Sequence, residues 1–277
     1  MSPEFTLALI VLGCVAGAVG ALAGIGGGII ITPLLAIYFG LPLDQAIGVS
    51  LLAVIATSSA TSAVYLKKHL TDLRLGMSLE LASTIGAAAA AVAAGHLSRR
   101  AVAVLFIAFL LYSAANLLKR AWEPLTLMLR GVASYQITVT APLGATVPIP
   151  DYQPRRYPLG LAASFVAGVL SGLLGIGGGP VKVPVMYLWM EVPLQVATAT
   201  SNLMIGVTAA ASAYIYYGRG DIPVATAAPL VAGVFLGSML GARISPRVRP
   251  VYILLLLAGV TLFLATQMSL KVYSGMF

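Results

Sequence analysis

The segment Gly24-Ile25-Gly26-Gly27-Gly28, followed by Pro33, returns 151 residues later as Gly175-Ile176-Gly177-Gly178-Gly179 followed by Pro184, and both copies sit inside apolar sequence. Four glycines in five residues cannot hold a helix in lipid, where backbone groups need internal partners unless neighbouring protein supplies them. Each copy therefore predicts a helix break deep in a bilayer. Breaks at corresponding places in two halves of a chain point to a transporter's binding site.

The rest of the composition agrees. Residues are 60% hydrophobic and 9% charged, and mean hydropathy is +0.99, whereas soluble domains carry about a quarter charged residues. An integral membrane protein follows. The formal charge of +8 does not indicate nucleic acid, because Lys and Arg lie between apolar segments, as in the cytoplasmic loops of polytopic proteins. The apolar run from Thr6 has no basic stretch before it and reads as a first membrane segment rather than a cleaved signal. With Cys14 alone, no internal disulfide can form and the redox compartment stays open.

Uncharged or nearly uncharged windows at 6–23, 45–66, 73–95, 101–118, 159–174, 193–217, 224–242 and 251–270 approach the roughly 20 residues that cross a bilayer. Two shorter pieces, 29–39 and 180–190, follow the glycine runs and at about 1.5 Å per residue reach only half way. They are expected to be half-helices. The duplication extends past the glycines: from Gly17 to Pro33 against Gly168 to Pro184, 8 of 17 positions are identical without a gap, and Tyr65 and Tyr216 keep the same offset. The expected fold is thus an all-α polytopic membrane protein with two homologous halves, 1–118 and 159–277, each of five hydrophobic segments. The linker 119–158 holds six prolines and five Lys or Arg. Its Tyr135–Val139 stretch is a candidate short strand, and its proline density opposes a further span.

Five crossings per half make the repeats inverted and put eleven basic residues on the linker side against four opposite. Four crossings make them parallel, with ten against five. Charge counting leaves both open. The inverted form is preferred because the parallel one gathers Arg243, Arg247 and Arg249 in an external loop, and either way the linker is expected in the cytoplasm.

Amides around a broken helix, with the positive end of the helix that follows, suit an anion. Gly26, Gly27, Gly28, Gly177, Gly178 and Gly179 are candidates for that role; the competing reading is close helix packing. Lys182 stands where the first half has Ile31, so only one half carries a cation, and an intramembrane Lys is by default functional unless it snorkels to an interface. Ser50, Thr57 and Thr61 correspond to Ser201, Thr208 and Ser212 and share one helical face, extended by Thr198 and Asn202. These hydroxyls either hold substrate oxygens or bond their own helix carbonyls. Glu80, an acid well inside a span, is the candidate carrier of a coupling proton, or else reaches the cytoplasmic interface. Asp44, Asp72, Glu191 and Asp221 read as turn or helix-start residues. His69 and His96 are isolated, so no metal site is expected. No Gly-x-Gly-x-x-Gly after a strand is present, and no cofactor is expected.

The doubled Gly-x-Gly-Gly-Gly-x4-Pro, Gly24 to Pro33 and Gly175 to Pro184, resembles the TauE/SafE sulfite exporter family, also called toluene sulfonate uptake permeases; length, basic linker and two-half organisation are similar too. The resemblance implies movement of sulfur-containing anions such as sulfite, thiosulfate, sulfoacetate or other organosulfonates across the cytoplasmic membrane. It fixes neither substrate nor direction, and Ile31 departs from any symmetric two-cation site. The expected activity is secondary transport by alternating access with a small anion as partner. An anion channel could use the same donors. A membrane-embedded enzyme would need a nucleophile triad, metal cluster or paired carboxylates that the sequence does not display.

Overall fold

Glycine and proline punctuation sets the helix boundaries in the computed structural model, which describes residues 3–67, 69–129, 152–244 and 250–274. All regular structure among these residues is helical. The first half contains α1 (Pro3–Ala23), α2 (Gly28–Tyr38), α3 (Leu43–Lys67), α4 (Leu73–Ala94) and α5 (Arg99–Leu129). The second contains α6 (Tyr157–Leu174), α7 (Gly179–Leu188), α8 (Leu194–Gly218), α9 (Val224–Ile244) and α10 (Pro250–Tyr273). Eight of these, all but α2 and α7, are long and apolar enough to cross a membrane.

The predicted breaks are present. Gly24 and Gly175 adopt φ of 69° and 70°, ending α1 and α6, while Gly27 and Gly178, both at φ 75°, start α2 and α7. An L-residue pays a steric penalty in this left-handed region, so glycine is the residue that allows both ends. After the first break the chain folds back. Gly27 lies against Ala16 and Gly20 of α1, and the Phe39 ring, just past α2, meets Phe5 near the start of α1 at 5.3 Å. The second half repeats this, with Met190, past α7, against Gly160 near the start of α6.

The halves interlock. α1 packs along α9 and α4 along α6, through contacts close enough to require glycine. Gly233, Gly237 and Gly241 sit on the carbonyls of Ile10, Cys14 and Ala18, and Gly168 and Gly172 sit on those of Ser83 and Ala87. Residue numbers rise together along each pair, so the paired helices run in the same direction. Without a hydrophobic drive between helices in lipid, such close backbone approach is what holds them. α3 and α8 pack on each other at the centre, and α5 pairs with α10.

α5 continues to Leu129, past the apolar window ending at Leu118 and through Pro124. Hydropathy marks where bilayer contact ends. Helix propensity does not stop there, because Leu, Lys, Arg, Ala and Glu all favour a helix. The Tyr135–Val139 stretch lies outside the described residues.

Candidate functional site

The two breaks meet. Gly28 of the first packs against the carbonyl of Gly175 in the second, and Gly179 of the second packs against Gly24 and Ile25 of the first. Ser50 joins them: its Oγ is 3.0 Å from Gly175 O and 3.4 Å from Gly28 O, so one hydroxyl proton serves two carbonyls. Val54 and Ile205, at equivalent positions of α3 and α8, touch both Gly26 and Gly177. The amides of Gly26, Gly27, Gly177 and Gly178 form no hydrogen bond among the described residues. All six candidate glycines are buried. Buried donors left unpaired are costly, so four together are an unusual concentration.

Beside the second break lies a buried ion pair. Lys182, in the first turn of α7, donates from its backbone to Gly178 O. Its Nζ reaches Thr208 Oγ1 at 2.8 Å and Glu80 Oε2 at 3.2 Å. Thr208 in turn donates to Glu80 Oε1 at 2.6 Å. Ser83 and Thr84, three and four residues after Glu80, donate to its two oxygens at 2.8 and 3.0 Å. Lys182 is 2% and Glu80 8% exposed. The carboxylate thus accepts from four groups, whereas the ammonium has three donors and two acceptors among the described residues. Burying two charges costs several kcal/mol per ion, and the network of donors around Glu80 offsets it.

The hydroxyl stripe divides. Ser50 and Thr208 serve the breaks and the ion pair. Thr57 and Thr61 donate to carbonyls of their own helix, Ala53 O and Thr57 O, the alternative the sequence also offers. Ser212 lies 3.4 Å from both Ala87 O and Thr208 O. Among the described residues Ser201 Oγ is buried with no partner, as is Asn202 Oδ1, while Asn202 Nδ2 donates to Thr198 O and flanks Gly24. Ser171 Oγ, one turn before Gly175, is also buried and unpartnered. Ser171, Ser83 and Thr84 escaped the sequence reading. The last two were legible as neighbours of Glu80 at i+3 and i+4.

The site's two ends differ. Toward the linker, Leu75, Leu79, Met186, Met190, Val192, Val196, Ala197 and Met204 form an apolar cluster with Tyr152 packed on it. Leu79 adjoins Glu80, Met186 follows Lys182 by one turn and Met204 precedes Thr208 by one turn, so this cluster caps the ion pair. Tyr152 donates to Asp72 Oδ2 at 2.5 Å, and Asp72 also caps α4 by accepting from Leu75 N at 3.0 Å. Burial, and then the Asp72 carboxylate, push the Tyr152 phenol well above its usual range, so it remains a donor. At the opposite end a cavity of about 320 Å³ opens between α3, α4, α5 and α8. It contains the pairs Arg99–Asp44 and Arg219–Asp221, each at 2.8 Å. Arg219 also stacks over Tyr216, 4.2 Å from the ring centre. Ile47, in the cavity lining, packs on Gly175 and so stands between the cavity and the second break. Asp44, Asp72 and Asp221 thus sit at helix ends, as their positions predict.

Residues 9–268 match the family described as Sulfite exporter TauE/SafE. The chain belongs to this family. Among TauE/SafE relatives and similar proteins, it is 31% identical to "Probable membrane transporter protein YunE" of Bacillus subtilis, over 97% of this chain and 98% of that one. It is 27% identical to a "Probable membrane transporter protein" of Methanocaldococcus jannaschii, over 86% of this chain and 87% of that one. A shorter match, 31% identical over 37% of this chain and 25% of the other, is to "Sulfite exporter TauE/SafE family protein 6" of Arabidopsis thaliana. No solved structure matches. The protein is accordingly a transmembrane transporter of the TauE/SafE family.

Proposed function

We propose that the protein carries a small sulfur-containing oxyanion, such as sulfite, thiosulfate, sulfoacetate or another organosulfonate, across the cytoplasmic membrane by alternating access. The observation that carries this reading is the meeting of two helix breaks, with their unpaired amides, beside the buried Lys182. Four glycine amides, the positive ends of α2 and α7 and one ammonium offer an anion what its hydration shell offered, without taking up a proton at each contact. Asn202 beside Gly24 and Ser171 one turn before Gly175 add buried polar groups next to the breaks, and Ser201 adds another on α8.

Three features favour a carrier over a channel. The linker end is covered by the apolar cluster under Tyr152, the Arg99–Arg219 cavity approaches from the opposite end as far as Ile47, and the site lies between them. A permanently conducting pore would join both ends. Helix directions support inverted halves: α2 returns beside α1, and α6 runs with α4, hence against α1. Rocking of one interlocked pair, α1 with α9, against the other, α4 with α6, would exchange the open and closed ends. The basic excess on the linker side supports a cytoplasmic linker and an outward-open arrangement.

Purified protein in liposomes should exchange labelled thiosulfate or sulfite across the membrane saturably. Lys182→Ala should lower the affinity at least tenfold. Unchanged affinity would remove Lys182 from the site, and single-channel currents would replace the carrier with a channel.

A further inference from the structure

We infer that the anion and a proton bind as one event, with Lys182 exchanging its partner: the ammonium leaves Glu80 for the anion, and Glu80 takes a proton from the aqueous side as it is released. This rests on the transport reading above and specifies its coupling. In the empty site the charge of Lys182 is already neutralised by Glu80 at 3.2 Å, so an anion arriving at the breaks meets a pair of no net charge and gains little from it. An anion that drew Lys182 away would leave Glu80 as an uncompensated carboxylate in a site sealed by Leu75, Leu79 and Met204. A buried charge in that position is neutralised by protonation. Protonated Glu80 keeps a place in the network, donating its new O–H to Thr208 or Ser83, whose hydroxyls turn to accept it. The only bond made is that O–H, and the anion remains intact.

Among the described residues no substitute cation faces Glu80. From its own helix it faces Ser83 and Thr84, from α8 Thr208 and from α7 Lys182. α6, which packs along α4, brings glycines and Phe165, and the phenol of Tyr157 at its start goes to Ser78. Thr208 touches both members of the pair, at 2.8 Å from Lys182 and 2.6 Å from Glu80. It can therefore pass from donating to Glu80 to receiving its proton while Lys182 moves. Compulsory partner exchange gives one proton per anion, in the same direction.

Thiosulfate is the probe, because it stays fully ionised across the working range and any proton dependence belongs to the protein. In proteoliposomes with potential clamped, an inward thiosulfate gradient should acidify the lumen with one proton per thiosulfate. Thiosulfate affinity should fall as pH rises, with a limiting slope of about tenfold per pH unit for one linked proton. Glu80→Gln, which imitates the protonated side chain, should bind thiosulfate with affinity independent of pH and move no protons. Glu80→Gln with Lys182→Met removes both charges, keeps the fold if the single variant does not, and should bind at least tenfold more weakly. Thiosulfate flux by the native protein without acidification, a flat pH dependence of its affinity, or acidification by Glu80→Gln would overturn the coupling and leave transport standing. Absence of thiosulfate, sulfite and sulfonate flux from the native protein would overturn both.

Discussion

Replacing Gly28 by Ala tests the meeting of the two breaks with a single methyl. Gly28 opens α2 in ordinary helical geometry, and no positive φ is associated with it, so Ala brings no backbone strain and the effect is steric. The added Cβ would overlap the carbonyl oxygen of Gly175 and come within 2.9 Å of Val54 Cγ2 and 3.0 Å of Ile176 Cα. Val54 can rotate. The carbonyl and the Cα of Ile176 are backbone, and close packing leaves them no free space, so the breaks must separate by on the order of 1 Å. Overpacking of this kind costs about 1–3 kcal/mol. Since about 1.4 kcal/mol is a factor of ten, a site that needs both breaks in contact should lose roughly fivefold to a hundredfold in affinity. Gly259→Ala is the control, because a Cβ there meets nothing within 4 Å. The assay is thiosulfate or sulfite binding by thermal shift, with flux in liposomes alongside it. Native affinity and melting temperature in Gly28→Ala would refute the claim that the breaks form one tightly packed unit.

Three further outcomes follow from the same geometry. Ser50→Ala removes the hydroxyl that two break carbonyls share and should lower stability by about 1–2 kcal/mol, whereas Ser201→Ala removes a buried hydroxyl without a partner among the described residues and should leave the empty protein as stable or more so while weakening anion binding; thermal melts with and without anion separate the two. Tyr152→Phe should cost about 1 kcal/mol in melting experiments, and Asp72→Ala more, because it also loses the α4 cap. Because the Tyr152 phenol lies above its usual range in the folded protein, its contribution is present at all pH below about 10, the ordinary phenol value, and is lost as pH rises beyond it. A cysteine at half-buried Ala94, in a Cys14→Ser background, should react with an impermeant thiol reagent from the side opposite the linker and not from the linker side.

The legible parts of this protein are those written in local chemistry. Apolar length gave the spans, and glycine clusters gave the breaks, because no other residue adopts their left-handed turns cheaply. Duplication gave the two halves. Lys182 and Glu80 stood out singly, since each is a charge in an apolar run. Their pairing did not. They are separated by 102 residues, and they meet because α4 of one half packs on α6 of the other, a consequence of glycines approaching carbonyls that no spacing along the sequence reveals. The same holds for the stripe, where equivalent hydroxyls took unlike roles: Ser50 bridges the breaks while Ser201 has no partner among the described residues, and Thr57 turns to its own helix while Thr208 joins the ion pair. Sequence determined which groups lie within the membrane, through the cost of burying them. Tertiary structure decided which of them neutralise one another, because that depends on distance in space.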